Sequence, residues 1–408
     1  MQIFIRQTSV LKISDTIINN EYIGNCRDTV FTMMVRDSIQ QHLTSQKFKD
    51  LNYVQGLLQY PPRWKPDTDI FSYISKDSLK RIQNKTCFFI FDASTEGFSP
   101  VNDFPFFDML YYNCEKYTID PAMIIYVSSN LKDEENIKKY CQANNKSPIN
   151  VFSFISFEKV ARSLLNLETE QIKCQEDYQG KYLSSLSRVN RHYRSLATFL
   201  LYHSNIRDKS LISHDAFSKN VNIASWKAQA GLAEYSITDV ENWFSALPLT
   251  VDKADFNTNW ALDNDYYNIH RKTLFQIVNE TLVDNYNNTS VFYSEKTFRP
   301  IVCFQPFVIY GQKGCNRHLK EIGYKTYDDW FDLSFDEEED NVVRYKKLLI
   351  SVSDTCKYLD SLDKEKQLEW RFKNKKTLRH NFLTMTVSQY SKDKLHVFLK
   401  GLDDRVNN

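Results

Sequence analysis

Glycine is scarce in this sequence, with nine in 408 residues. It contains no Gly-x-Gly-x-x-Gly and no Walker-type loop, so a bound phosphate must be held by side-chain cations and helix N-termini. No apolar run reaches the ~18–20 residues that span a bilayer, and no basic stretch near the N-terminus leads into a long apolar one. The expectation is a cytoplasmic chain without a membrane span. Cys26, Cys87, Cys114, Cys141, Cys174, Cys303, Cys315 and Cys356 include no Cys-x-x-Cys pair, and no histidine cluster has ligand spacing. They read as reduced core residues, with no metal site expected. Charge of one sign is lacking too: 52 Lys and Arg stand against 51 Asp and Glu. Without a positive field across the molecule, nucleic acid is not an expected partner.

What is present fits a folded chain, 42% apolar and 25% charged. At 408 residues it exceeds the ~250–300 at which single cores stop growing, so two domains are expected. Short apolar runs at Cys87–Phe91, Met123–Val127 and Val151–Ile155 alternate with helical patterns at Asp133–Gln142 and Phe157–Leu167. Strands alternating with helices predict a parallel, doubly wound sheet. A polar stretch at 168–179 is the candidate linker, which sets the boundary near 180. A second alternating set then follows, with a helix over Arg191–His203, a strand at Ser210–Ser213, a helix near Asp239–Ala246, and strands at Phe275–Val278 and Phe307–Tyr310. The fold class is therefore α/β, with two Rossmann-like domains facing each other across a cleft: residues 1–180, residues 181–360, and a helical extension at 361–408. The acidic run Asp336–Asp340 reads as the solvated start of a helix over Val342–Leu359, and Arg371–Lys376 as a solvated basic face.

The chemistry concentrates between Ile277 and Gly314. There a strand ends in Asn279-Glu280-Thr281, and Tyr293-Ser294-Glu295-Lys296 precedes Pro300 and the strand Phe307–Tyr310. Ser294 can cap a helix that starts at Glu295. Free backbone N–H groups would then stand beside the Lys296 ammonium and suit a diphosphate. The segment resembles the donor motif of the α-1,3-fucosyltransferase family, which joins an aromatic, a small hydroxyl residue and Glu-Lys to a following helix and a Pro-containing strand. The resemblance implies a GT-B architecture in which Lys296 neutralises donor phosphates, Glu295 holds a sugar hydroxyl, and Tyr293 lines the nucleotide pocket. Glu280 stands where the family has a polar element at a strand end.

Arg188, Arg191 and Arg194 can converge on one anion at a helix start. The resemblance assigns the donor-phosphate contact to Arg194, with Arg191 as the alternative; a solvated turn paired with nearby acids is the plain reading. In the first half, Asp92 and Glu96 follow a strand, where loops beyond strand C-termini line ligand crevices. Glu96 resembles the family's base, Asp92 competes for that role, and both would otherwise cap a turn. The implied activity is transfer of a sugar from a nucleoside-diphosphate donor, GDP-linked among the options, to a glycan or other hydroxyl acceptor. Inversion without a required metal or further cofactor is expected. A catalytically inactive scaffold of the same architecture is the alternative.

Overall fold

The computed structural model describes residues 4–9, 19–21, 52–57, 65–73, 75–94, 97, 99–100, 105–158, 178, 180–187, 191–217, 221–251, 269–284, 289–387 and 389–407. Two compact units emerge: Met1–Ser156 with Asn285–Phe292 and Ser388–Asn408, and Phe157–Asp284 with Tyr293–Val387. Most of the expected linker at 168–179 lies outside the described residues. Tyr178 is described and buried, and it donates its hydroxyl to Gln367 Oε1 at 2.8 Å. Among the described residues no helix is long and apolar enough to cross a membrane.

In the first unit, β1 (Phe4–Ser9), β2 (Asn19–Glu21), β3 (Asn52–Leu57), β4 (Cys87–Ala93), β5 (Ile124–Ser128) and β6 (Asn150–Ser153) form one sheet in the order β2-β1-β3-β4-β5-β6. From β3 to β6 the pairing is parallel, while β1 runs antiparallel to β2 and β3. The apolar runs of β4 and β5 are buried along Phe88–Phe91 and Ile124–Val127, as strands covered on both faces require. Helices α1 (Lys76–Gln83), α2 (Phe106–Lys116) and α3 (Asp133–Asn144) accompany it. β5 starts at Ile124 rather than Met123 because Asp120 accepts the Ala122 N–H at 2.9 Å and winds Pro121–Met123 into a 3-10 turn. The C-terminal helix Gln389–Asn407 contributes Leu395, Leu399 and Leu402 to this core. The expected extension at 361–408 is accordingly divided between the two units, because its last helix has its apolar partners in the first.

Residues 289–292 also belong to this unit. Asn130 and Asn136 both donate to the Thr289 carbonyl, at 2.9 and 2.7 Å, and Asn130 Oδ1 accepts the Val291 N–H at 3.0 Å. Ser290 donates its hydroxyl to the Gly97 carbonyl at 2.8 Å. A Cβ on Gly97 would lie 2.1–2.4 Å from side-chain atoms of Phe292, so only glycine permits this approach. Gly97→Ala is expected to lower stability by about 1–3 kcal/mol through overpacking. An unchanged melting temperature in that variant would refute the close fit.

The second unit has a four-stranded, wholly parallel sheet of β7 (Lys181–Ser187), β8 (Ser210–His214), β9 (Thr273–Asn279) and β10 (Phe307–Tyr310) in the order β10-β9-β7-β8. Its helices include α4 (His192–Tyr202), α5 (Ile223–Gln229), α6 (Ile237–Ser245), α7 (Glu295–Val302), α8 (Cys315–Glu321), α9 (Asn341–Asp360), α10 (Lys364–Lys373) and α11 (Lys375–Val387). α4 is buried continuously from Arg194 to Leu201, Leu196, Phe199 and Leu200 of its apolar side among them. Cys303, Cys315 and Cys356, like Cys114 and Cys141 of the first unit, are buried free thiols.

Arg371 is not on a solvated face: it is buried and donates to the carbonyls of Thr273 at 2.9 Å, His270 at 3.4 Å and Phe304 at 3.4 Å. It ties the N-terminal end of β9 to the turn before β10. Asp336 is not a solvated helix start either. It is buried, accepts Asn316 Nδ2 at 2.8 Å and the Arg317 N–H at 2.9 Å, and burial raises its pKa despite those bonds. Asp340 does the capping, accepting the N–H groups of Val342 and Val343 at 2.8 and 2.9 Å.

Candidate anion site in the second unit

Strands β7 and β9 are neighbours, yet the chain leaves their C-terminal ends for opposite sides of the sheet. From β7 it runs through α4 to β8, and from β9 through α7 to β10. Connections that diverge in this way leave a crevice beyond the strand ends, where ligands sit in open parallel sheets. The starts of α4 and α7 both reach it, because Arg194 Nη2 and Lys296 Nζ donate to the same atom, Thr281 Oγ1, at 2.9 and 3.1 Å. The two cations therefore lie within about 6 Å of each other. Arg191, exposed at the cap position of α4, donates to the Thr281 carbonyl at 3.4 Å.

Glu280 builds the turn that carries Lys296. Its carboxylate is 1% exposed and accepts four bonds: Ser294 Oγ at 2.6 Å, the Ser294 N–H at 3.2 Å, Thr297 Oγ1 at 2.5 Å and the Thr281 N–H at 2.9 Å. Ser294 is locked by these bonds in extended backbone and caps α7, its Oγ accepting the Lys296 N–H at 3.4 Å. Pro300 within α7 cannot return a hydrogen bond to Lys296, and the helix stops at Val302 after eight residues. On β9, Asn279 Nδ2 donates to Ser185 Oγ at 2.9 Å and Ser187 Oγ at 3.0 Å, which pins the two strand ends at the crevice floor.

Electrostatically the cluster is a positive well. Arg191, Arg194, Lys296 and Arg299 act on it against Glu280 and Glu295, two more cations than carboxylates. Burial, and then Arg191, press the Arg194 guanidinium down to about 10, against the pull of Glu280 and Glu295. Burial also lowers the Lys296 ammonium; Glu295 opposes this and Arg194 adds to it. Burial alone would raise the Glu295 carboxyl, yet Lys296 and Arg299 hold it below its ordinary value. Burial is thus the main reason both cations are harder to keep charged, with the neighbouring cations adding to it, while those same cations make the Glu295 carboxylate easier to keep.

Arg191, Arg194 and Lys296 are brought together, and Ser294 caps as expected. Lys296 is also paired with its neighbour Glu295, Nζ to Oε1 at 2.6 Å, both side chains about four-fifths buried. Tyr293, expected to line a nucleotide pocket, is in the core: it is 2% exposed and its hydroxyl donates to the Cys315 carbonyl at 2.6 Å. Glu280 is a brace rather than an open ligand group. Asp92 ends β4 buried and accepts the Ser94 N–H at 2.9 Å, the turn-forming role. Glu96 and Arg188 lie outside the described residues. Sequence reasoning missed Thr281, the shared acceptor, and Arg344, buried under the crevice's outgoing chain with Nη2 donating to the Val283 carbonyl at 2.9 Å. The polar tripeptide Asn279-Glu280-Thr281 directly after an apolar strand was the available signal for the first. Among the described residues no group of His, Cys, Asp and Glu is arranged to hold a metal ion. No protein-family model matches the chain, and no curated protein is significantly similar to it.

Proposed function

We propose that the chain is a glycosyltransferase that takes a sugar from a nucleoside-diphosphate donor, with the diphosphate held by Arg191, Arg194 and Lys296 in the second unit. The observation that carries this reading is the convergence of Arg194 and Lys296 on Thr281 at the topological switch point of a parallel sheet. Glu295 pairs with Lys296, whereas Arg194 has no ion-pair partner among the described residues and bonds only the Thr281 hydroxyl, and a diphosphate is an anion whose span and charge suit both cations. The resemblance of Tyr293-Ser294-Glu295-Lys296 to the α-1,3-fucosyltransferase motif supports the same choice and suggests GT-B use of the two units.

In this mechanism an acceptor hydroxyl oxygen attacks the anomeric carbon while the bond from that carbon to the β-phosphate oxygen breaks. The hydroxyl proton passes to a carboxylate, for which Glu96 is the candidate by resemblance. The departing diphosphate keeps the bonding electrons, and Arg194 and Lys296 stabilise its charge. Asp92 fits this base role less well, because its carboxylate already holds a turn.

Binding is the first test. A nucleoside diphosphate at ~100 times its dissociation constant is expected to stabilise the fold by about 2.7 kcal/mol, measured by thermal unfolding with and without magnesium. Lys296→Ala should remove most of that gain. No shift with GDP, UDP or ADP under either condition would overturn the site. Binding of a diphosphate and its sugar, without release of the nucleotide across a range of hydroxyl acceptors, would instead support a binding scaffold.

A further inference from the structure

Thr281, two residues past the end of β9, is the group that both cations of the anion site touch. Its Oγ1 accepts Arg194 Nη2 at 2.9 Å and Lys296 Nζ at 3.1 Å. A threonine hydroxyl has two lone pairs and one hydrogen, so the two cations take up its whole capacity to accept. What remains is the hydrogen, which the tetrahedral oxygen holds in the one direction left, away from both cations. It has no acceptor among the described residues.

The acceptors around it are already engaged. Glu280 takes four donors on its two oxygens. Ser294 Oγ gives its hydrogen to Glu280 and accepts both the Lys296 ammonium and the Lys296 N–H. Lys296 commits its three ammonium hydrogens to Thr281, to Ser294 Oγ at 3.3 Å and to Glu295 Oε1 at 2.6 Å. Arg194 is the opposite case: it is buried, its one side-chain bond among the described residues goes to Thr281, and its Nε has no partner among them. The cluster therefore offers a ligand hydrogens, those of Arg194 and, beside them, that of the Thr281 hydroxyl. Two cations on one oxygen also make its O–H a stronger donor, since linked hydrogen bonds polarise one another. Lys296, with no hydrogen left over, reaches an anion by its charge and through this hydroxyl.

We propose that Thr281 is a binding residue of the anion site, donating its hydroxyl hydrogen to a phosphate oxygen of the bound diphosphate. The proposal rests on the anion reading of Arg194 and Lys296. It adds to the two charges a neutral, directional partner between them. The oxygen it meets is a fully ionised one, because a hydrogen on that oxygen would face only other donors.

The test pairs a change in the protein with a change in the ligand. Thr281→Val keeps the shape and removes the hydroxyl, whereas Thr281→Ser keeps the hydroxyl. GDP, UDP and ADP are titrated into the full chain by calorimetry. The one that binds is compared with its β-thio analogue and both diastereomers of its α-thio analogue, in which sulfur, a poor acceptor, replaces a phosphate oxygen. Thr281→Val is expected to bind about ten- to hundredfold more weakly, the effect of losing a hydrogen bond to a charged group, and Thr281→Ser within about threefold of the native chain. For one of the three analogues, sulfur should cost the native chain at least about threefold more affinity than it costs Thr281→Val, because both changes remove the same bond. Should Thr281→Val not fold, Thr281→Ala removes the same hydroxyl and takes its place. If the variant without the hydroxyl binds as tightly as the native chain, if Thr281→Ser falls as far, or if sulfur costs both chains equally in all three analogues, Thr281 only spaces the cations and the anion site stands. No binding of any of the three nucleotides to the native chain would overturn the anion site itself, and this contact with it.

Discussion

Glu280→Gln is expected to destabilise the second unit by about 2–4 kcal/mol and to abolish anion binding, although the replacement has the same shape. Each oxygen of the native carboxylate takes one hydroxyl and one backbone N–H: Ser294 Oγ and Thr281 N on one, Thr297 Oγ1 and Ser294 N on the other. Hydroxyls can rotate to meet an amide group, but backbone N–H groups cannot. Whichever way the glutamine amide turns, its NH2 opposes one of two buried backbone donors and leaves it unpaired. That penalty is about 1–3 kcal/mol, and the remaining bonds lose the gain of a charged acceptor. The Ser294 turn then loosens, and Lys296 loses its fixed place beside Thr281. Native-state hydrogen exchange at β9 and α7 reads the effect locally, which matters in a chain of two units. A loss of less than about 1 kcal/mol would mean that the four bonds do not act as a brace.

Such a brace shows where the sequence was readable and where it was not. The strand Phe307–Tyr310 and the helix start at Glu295 stand where apolar runs and a capping serine placed them, because those signals are local. Likewise α9 runs Asn341–Asp360 around the expected Val342–Leu359. β1 and β3 escaped notice because Phe4–Ser9 and Asn52–Leu57 mix polar with apolar residues and carry no continuous run.

Buried charge was the least legible feature of all. Arg344 and Arg371 each lie in a helical stretch with several charges, and nothing local separates them from solvated neighbours such as Lys373. What buries them is a set of backbone carbonyls from remote segments, Val283 for one and Thr273 for the other, 61 and 98 residues away. The candidate site was more legible because its parts are helix starts and strand ends, which sequence does mark. Its balance of open and locked groups was not. Only the fold distinguishes Lys296, its side chain about one-fifth exposed, from Tyr293, sealed in the core.

Arg194→Met is expected to reduce anion affinity by about 10²-fold or more while leaving the empty protein as stable as before, or more so by about 1–2 kcal/mol. Arg194 is 4% exposed, its Nε has no hydrogen-bond partner among the described residues, and its one side-chain bond among them goes to the uncharged Thr281 hydroxyl. At about 6 Å from Lys296, the like charges repel by about 3 kcal/mol at an effective dielectric of about 20. Glu280 and Glu295 offset part of this, but they also serve Lys296 and the turn, so the guanidinium remains a net burden in the empty fold. Methionine fills a similar volume without a charge to desolvate. A residue kept only for structure shows the opposite pattern, with stability lost and ligand response retained. The decisive measurement is therefore paired: chemical unfolding without ligand, and the shift in unfolding on adding a nucleoside diphosphate. If the variant unfolds several kcal/mol more easily, or if it still gains about 2.7 kcal/mol at ~100 times the native dissociation constant, Arg194 is a structural residue and the diphosphate belongs elsewhere.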